Sequence, residues 1–268
     1  MPPTHLPQPP GAQPATLQPA TLRHYLLWLV ATIIAAGLAW HGPIAQAAHY
    51  HDFADTRSWL GIPHAADVLS NLPFLYAGWL GVTAALRLPV LHPARAAWGM
   101  FFGAVMLTTV GSAFYHWAPD NMGLAIDRLP IAWACAWLAL ALLAERVDAR
   151  FGQPATRIAG FFAASFSVWF WYQGEVGGAG DLRAYLFVQV LPVLLIPLVC
   201  GMFRGGTLKA GDWFGAIGLY LVAKGLELHD AQVLGMLGVS GHTLKHLMAA
   251  AAALWLAARL RRAAASTT

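Results

Sequence analysis

The chain has 268 residues, of which 58% are hydrophobic and only 10% are charged, with a formal net charge of +4. A soluble domain usually carries about 25% charged residues, so a chain this poor in charge cannot cover a water-facing surface. The composition excludes an ordinary soluble protein and predicts an all-α, polytopic membrane protein. Its two cysteines, Cys135 and Cys200, are too few for a disulfide framework or a cysteine-rich metal site.

The first 47 residues divide into two segments of different composition. Residues 1–22 contain mostly Pro, Gln, Ala and Thr and no charged residue, which predicts a disordered N-terminal tail. Residues 23–47 contain an apolar run that predicts an N-terminal transmembrane helix. The same run also fits a signal sequence, because Arg23 precedes it and Ala45-Gln46-Ala47 resembles a cleavage site. In both cases the chain after residue 48 begins on the far side of the membrane.

The rest of the chain is one helical domain with short connections. A helix needs about 20 apolar residues to cross a bilayer. Runs of this kind predict eight helices, near residues 25–41, 68–88, 97–117, 123–144, 156–173, 184–203, 212–228 and 241–260. The seventh run is the most polar, since it contains Lys224 and Glu227. Residues 48–262 are therefore predicted to form a seven-helix membrane domain, and residues 263–268 a short C-terminal tail.

Basic residues are distributed unequally between the two ends of these helices. With the N-terminus inside, eleven fall in inner segments and only three, Arg57, Arg128 and Arg183, in outer segments. Cytoplasmic loops are the ones enriched in Lys and Arg. We therefore expect an even number of spans with both termini in the cytoplasm, in a multi-pass protein of a bacterial inner membrane.

Potential metal ligands gather at the outer end of this arrangement. His242 and His246 begin the last helix and are four residues apart, so in a helix they share one face. Two such imidazoles can bind one metal ion. A pair of histidines at a membrane interface can equally well face lipid headgroups, so the motif alone is weak.

A second polar group lies at the same depth, between the third and fourth helices. Ser112 and His116 close the third helix on one face, and Asp127 opens the fourth. Three histidines and a water form the usual catalytic zinc site, and a carboxylate beside it can act as a general base. Each residue also has a structural explanation: helix packing for Ser112, an interfacial position for His116, and capping of a helix dipole for Asp127.

The order of these motifs resembles that of the alkaline ceramidase family. Ser-x-x-x-His ends one helix, Asp opens the next, and His-x-x-x-His lies in the last helix. Val68-Leu69-Ser70-Asn71-Leu72 is similar to the Ser-Asn-Leu segment of the first ceramidase core helix. The family belongs to a superfamily of seven-helix membrane hydrolases that includes the progestin and adiponectin receptors. The resemblance covers about residues 50–250 and consists of short motifs in the same order.

The resemblance implies a role for each residue of the outer group. It implies a zinc ion held by His116, His242 and His246, with a water as the fourth ligand. It implies that Asp127 handles the proton and that Ser112 stabilises the developing oxyanion. The seven helices after residue 67 would form the catalytic core.

Alkaline ceramidases also bind calcium in an acidic segment before the first core helix. Asp52-Phe53-Ala54-Asp55 resembles the start of that segment, which makes Asp52 and Asp55 candidate calcium ligands. Arg57 and His64 stand where further oxygen ligands are expected, and arginine cannot ligate calcium.

Four further polar residues lie near the histidine pair. Glu227, His229 and Asp230 either support the histidines or cap a helix end, and the second interpretation is favoured. Lys245, between the two histidines, is another departure from the family, and we expect its side chain to reach outward to the membrane surface.

Together these features predict a zinc-dependent integral membrane hydrolase of lipid amides, with ceramide as substrate and a sphingoid base and a fatty acid as products. The expected partners are the bilayer and its lipids, and no nucleic-acid-binding patch appears. Hydrolysis of a lipid ester or phospholipid, a receptor-like role, haem binding for electron transfer and transport remain alternatives. The serine and the acid beside the histidines favour hydrolysis over haem.

Overall fold

The structure, a computed structural model, describes residues 19–266, so most of the predicted N-terminal tail lies outside the described part. Within it the chain is all-helical, which confirms the predicted class. The α-helices are α1 Pro19–His41, α2 Ala65–Leu69, α3 Leu72–Arg87, α4 Arg95–Trp117, α5 Asn121–Arg146, α6 Pro154–Val176, α7 Arg183–Met202, α8 Ala210–Leu228, α9 Asp230–Leu237 and α10 Gly241–Ala265, and a 3-10 turn spans Ala149–Gly152.

The helices differ from the prediction in two places. The run expected at residues 68–88 is divided into α2 and α3, with Pro73 in the first turn of α3. Proline has no backbone N–H to continue the hydrogen bonding of the preceding turn, so the helix restarts there. The short helix α9 was not predicted, and it connects α8 to α10.

Five helical segments are long and apolar enough to cross a membrane: Arg23–His41, Ala65–Arg87, Arg95–Trp117, Asn121–Arg146 and Arg183–Met202. The finding supports a multi-pass membrane protein with fewer clear spans than the eight predicted. Helices α8 and α10 are not among these five segments because they are more polar. Helix α8 contains Lys224 and Glu227, and α10 contains three arginines near its end. Helix α6 is also absent from this group, because it contains many aromatic and small polar residues besides its aliphatic ones.

The helices pack in an order that places α3 between α4 and α10. Helix α4 packs between α3 and α5, and α10 packs against α3 and α8. Helix α5 also contacts α6 and α7, while α1 lies against α7. Stacked rings of Trp98, Phe102 and Trp213 fill the core at one end of the bundle. The polar residues lie toward the opposite end.

Side-chain caps fix where the two site-bearing helices begin. Asp120 precedes α5 and accepts a hydrogen bond from the backbone N–H of Gly123 at 2.6 Å. Ser240 precedes α10 and accepts one from Thr243 at 2.9 Å. Such caps satisfy N–H groups that have no partner within the helix. They fix the first residues of α5 and α10, whose buried side chains include Asp127, His242 and His246.

Candidate metal centre

Three histidines from two helices meet in the interior of the bundle. His116 comes from the last turn of α4, and His242 and His246 come from the first two turns of α10. All three are buried, with exposed fractions of 1%, 8% and 3%. One potential ligand atom from each lies within 4.8 Å of the others, and among the described residues no other three His, Cys, Asp or Glu side chains form such a group.

The spacing of the rings fits a metal ion. The Nε2 atoms of His116 and His242 are 3.2 Å apart. Zinc–nitrogen bonds of about 2.0–2.1 Å at tetrahedral angles place two ligand nitrogens about 3.3 Å apart. The ring centroids of His246 lie 5.0 Å from His116 and 4.8 Å from His242. Three imidazoles are a donor set that zinc accepts readily, so these residues fit zinc without identifying it.

Ser70 orients His246 for such a role. Its hydroxyl donates to the carbonyl oxygen of Asp67 at 3.0 Å and lies 2.8 Å from Nδ1 of His246. Because the hydroxyl proton is used, Nδ1 of His246 must donate, which leaves the Nε2 lone pair free for a metal. Partners of this kind commonly hold ligating histidines. The Ser-Asn-Leu motif pointed to this segment, but sequence reasoning assigned Ser70 no role.

The ring of Phe53 packs against two histidines of the triad. Its ring centroid lies 4.5 Å from that of His116 and 5.4 Å from that of His242. The side chain is buried, so the rings are shielded from water on this side. Sequence analysis missed Phe53 because an aromatic residue between two aspartates carries no distinctive pattern.

The prediction that Lys245 reaches outward is wrong. Its Nζ lies 3.0 Å from Nε2 of His242 and 3.0 Å from a carboxylate oxygen of Glu227, and only 19% of the side chain is exposed. Lys224 pairs with the same carboxylate. A charged side chain in a membrane protein avoids lipid when the bundle interior offers an acid partner. Glu227 would therefore keep Lys245 paired if His242 held a metal ion.

The other residues near the end of α8 have mixed roles. Asp230 accepts the backbone N–H of His242 at 2.8 Å, and His229 contacts the carbonyl oxygen of Gly225 at 2.9 Å. Both stabilise helix ends, in agreement with the favoured interpretation. Glu227 instead supports the site indirectly, through Lys245.

Ser112 and Asp127 come together where α4 and α5 approach closely. A Cβ atom on Gly111 would lie 2.7 Å from the carbonyl oxygen of Ile126, so only glycine allows this spacing. The side chains of Ser112 and Asp127 are neighbours that line one cavity. Both side chains are buried, and Oδ1 of Asp127 has no hydrogen-bond partner among the described residues. A buried carboxylate oxygen without a partner is available to a substrate or a water.

A cavity of about 610 Å³ joins these residues to the apolar interior. Ser112, Asp127 and His246 line it, whereas the opposite part is lined by residues such as Phe101, Leu138 and Leu256. Its lining extends along α8 from Trp213 to Leu228. At 1.5 Å per residue the cavity is about 20 Å long, which suits an extended hydrocarbon chain.

The two candidate calcium ligands lie apart from this centre and have other partners. The guanidinium of Arg57 donates to both carboxylate oxygens of Asp55, at 2.8 and 2.6 Å. Asp52 is exposed and contacts His49 at 3.1 Å. The geometry therefore gives the predicted calcium site no support.

The pairing of Asp55 with Arg57 predicts a pH-dependent stability. Its hydrogen bonds from Arg57 hold the pKa of the buried Asp55 carboxyl below its ordinary value. The pair therefore stabilises the fold above the unfolded pKa of about 3.9 and loses this effect as the pH falls through the lower folded pKa. We expect Asp55→Asn to lower the thermal unfolding temperature by a few degrees at pH 7, with the difference from the parent protein shrinking below about pH 4. Asp52→Asn is the control and should change little, because its ion pair is exposed. Equal effects of the two substitutions at pH 7 would contradict the assignment.

Comparison with known proteins adds no relative to this description. No protein-family model matches the chain, and no curated protein matches it. Function must therefore be inferred from the histidines, the serine, the aspartate and the cavity.

Proposed function

We propose that the protein is a zinc-dependent membrane hydrolase that cleaves lipid amides, with ceramide-like lipids as substrates. The observation that carries the proposal is a buried histidine triad whose His246 lines, together with Ser112 and Asp127, the polar end of a long apolar cavity. The resemblance to alkaline ceramidases in motif order supports the choice of an amide.

The cavity has the shape and polarity that a lipid substrate requires. An acyl chain would occupy the apolar part, which places the carbonyl group near Ser112, Asp127 and His246. Binding sites for small molecules are typically of this size and combine apolar walls with a few polar groups. Entry from the bilayer would keep the hydrocarbon chains out of water throughout.

The chain supplies the groups that amide hydrolysis needs. His116, His242 and His246 would hold zinc, which when bound supplies Lewis-acid chemistry that acidifies water and polarises a carbonyl. Asp127 accepts a proton from the attacking water and delivers it to the leaving nitrogen, so that a C–O bond forms and the C–N bond breaks. The Ser112 hydroxyl, which lines the same cavity, would donate a hydrogen bond to the substrate oxygen as negative charge develops there.

A panel of lipids incubated with the purified protein tests the substrate class. We expect release of fatty acid from ceramide, because Asp127 would protonate the poor amine leaving group. We expect little release from an ester or a phospholipid with the same acyl chain, because the motif order resembles that of amide hydrolases. Faster cleavage of the ester or phospholipid would show that the same site hydrolyses another class of lipid. Transport of an intact lipid in liposomes without cleavage would contradict hydrolysis altogether.

We also propose that α6, α8 and α10 cross the membrane together with the five more apolar segments, giving eight spans with both termini in the cytoplasm. Polar residues of α8 and α10 face the cavity, where Lys224, Glu227 and Lys245 pair with one another. Charged residues that face a bundle interior do not prevent a helix from spanning.

Reporter fusions test this topology. A fusion after Arg95 should report the cytoplasm and a fusion after Asp120 the opposite side, because α4 lies between the two positions. Activity of both reporters in the same compartment would rule out the proposed orientation of α4.

A further inference from the structure

One arginine at the polar end of the cavity has no role in the mechanism above. Arg128 follows Asp127 in α5, is only 4% exposed and lines the cavity. Its Nη2 donates to the side-chain oxygen of Gln46 at 2.5 Å. Its Nη1 is buried and has no hydrogen-bond partner among the described residues.

Aromatic rings hold this guanidinium in place. Its central carbon lies 4.1 Å from the ring centroid of Trp171, 5.0 Å from that of Tyr185 and 5.3 Å from that of Tyr50. Such contacts stabilise a cation and restrict its orientation. They do not satisfy the free N–H groups, which are costly to leave without an acceptor.

No carboxylate of the described residues forms an ion pair with Arg128. The other arginines on this side of the membrane are paired, Arg57 with Asp55 and Arg183 with Asp181. The cavity lining has more basic than acidic residues. Three are basic, Arg128, Lys224 and Lys245, and two are acidic, Asp127 and Glu227. In a poorly solvated site, an excess positive charge favours an anionic ligand.

We propose that Arg128 binds an anionic group on the substrate, so that the preferred substrates are lipid amides with a phosphate, sulfonate or carboxylate close to the amide. This inference rests on the proposed amide hydrolysis and makes the substrate class more specific. The planar guanidinium suits such groups, because it can donate two parallel hydrogen bonds to them. Arg128 and Asp127 both line the cavity, so the anion would lie near the reacting bond and the acyl chain would extend into the apolar part.

The test compares two lipids that differ by one group, a short-chain ceramide and the same ceramide carrying a 1-phosphate. Both are presented to the full-length protein in detergent with the same fraction of an anionic phospholipid, which removes differences in surface charge. We expect kcat/KM for the phosphorylated lipid to exceed that for the neutral lipid by about tenfold or more, as a charge-assisted hydrogen bond provides. Equal values, or a preference for neutral ceramide, would overturn the inference.

Substitution of Arg128 locates the preference. Arg128→Gln should reduce kcat/KM for the phosphorylated lipid by about ten- to a hundredfold and change that for neutral ceramide by less than about threefold. Arg128→Lys retains the charge without the planar pair of donors and should keep part of the preference. Arg150→Gln, at a side chain that is 82% exposed and outside the cavity, is the matched control. An equal loss on both lipids in Arg128→Gln would show a structural role only and would overturn the inference.

Lipid retention after purification distinguishes failure of this inference from failure of the proposed hydrolysis. Native mass spectrometry should show stronger retention of the phosphorylated lipid by the parent protein and loss of this difference in Arg128→Gln. Selective retention without cleavage of either lipid would reject amide hydrolysis and support the anion site. Cleavage without selective retention or selective turnover would reject the anion site alone. If Arg128→Gln does not fold, the comparison of the two lipids on the parent protein and on Arg128→Lys decides the question.

Discussion

Protein purified without chelators is expected to contain about one zinc ion per chain, and replacement of His116, His242 or His246 by alanine should remove most of it. Each histidine contributes one of three convergent ligand atoms, within 4.8 Å of one another. Loss of one leaves two protein ligands, which is below the usual number for a zinc site. Elemental analysis of each variant measures the metal directly.

Two comparisons make this result specific to the triad. His229→Ala removes an exposed histidine from the same end of the bundle and should leave the metal content unchanged. Ser70→Ala removes the partner of His246 and should weaken zinc binding by about 10–100-fold without abolishing it. Full zinc content in all three alanine variants of the triad would falsify the site. An absorption spectrum typical of haem would show that the histidines bind haem and not zinc.

Asp127→Asn is expected to abolish most amide hydrolysis while the zinc content stays at the parent level. Asparagine has nearly the same size but cannot accept and return a proton, so a loss of about 10²–10⁴-fold in kcat is expected. Ser112→Ala should cost about 10²–10³-fold, as removal of one oxyanion donor does. Turnover of labelled ceramide and zinc content are measured on the same samples.

The structural explanations for these two residues predict a different outcome. Asp120 caps α5 and Asp127 lies inside the helix, so packing is the structural explanation left for Asp127, as it is for Ser112. If both residues only pack, both variants should lose stability and keep their turnover. Asp148→Asn is the control, because that carboxylate pairs with Arg150, away from the cavity. Full turnover by zinc-loaded Asp127→Asn would reject the mechanism even if the metal site were verified.

The sequence by itself determined the class of the protein and the residues to examine. A low fraction of charged residues and long apolar runs predict a helical membrane protein, because lipid offers no partners for backbone groups. Helical periodicity placed His242 and His246 on one face and Ser112 on the same face as His116. These features depend on local spacing, so no knowledge of packing was needed to predict them.

Tertiary structure decided which of these side chains meet. Gly111 lets α4 approach α5 closely, and Ser112 and Asp127 from these two helices line one cavity, an arrangement that no local pattern encodes. Ser70 contacts His246 across 176 positions in the sequence, and its role follows only from that contact. The inward direction of Lys245 depends on Glu227 of another helix, because the free energy of a charge in a membrane protein depends on whether the fold provides a partner.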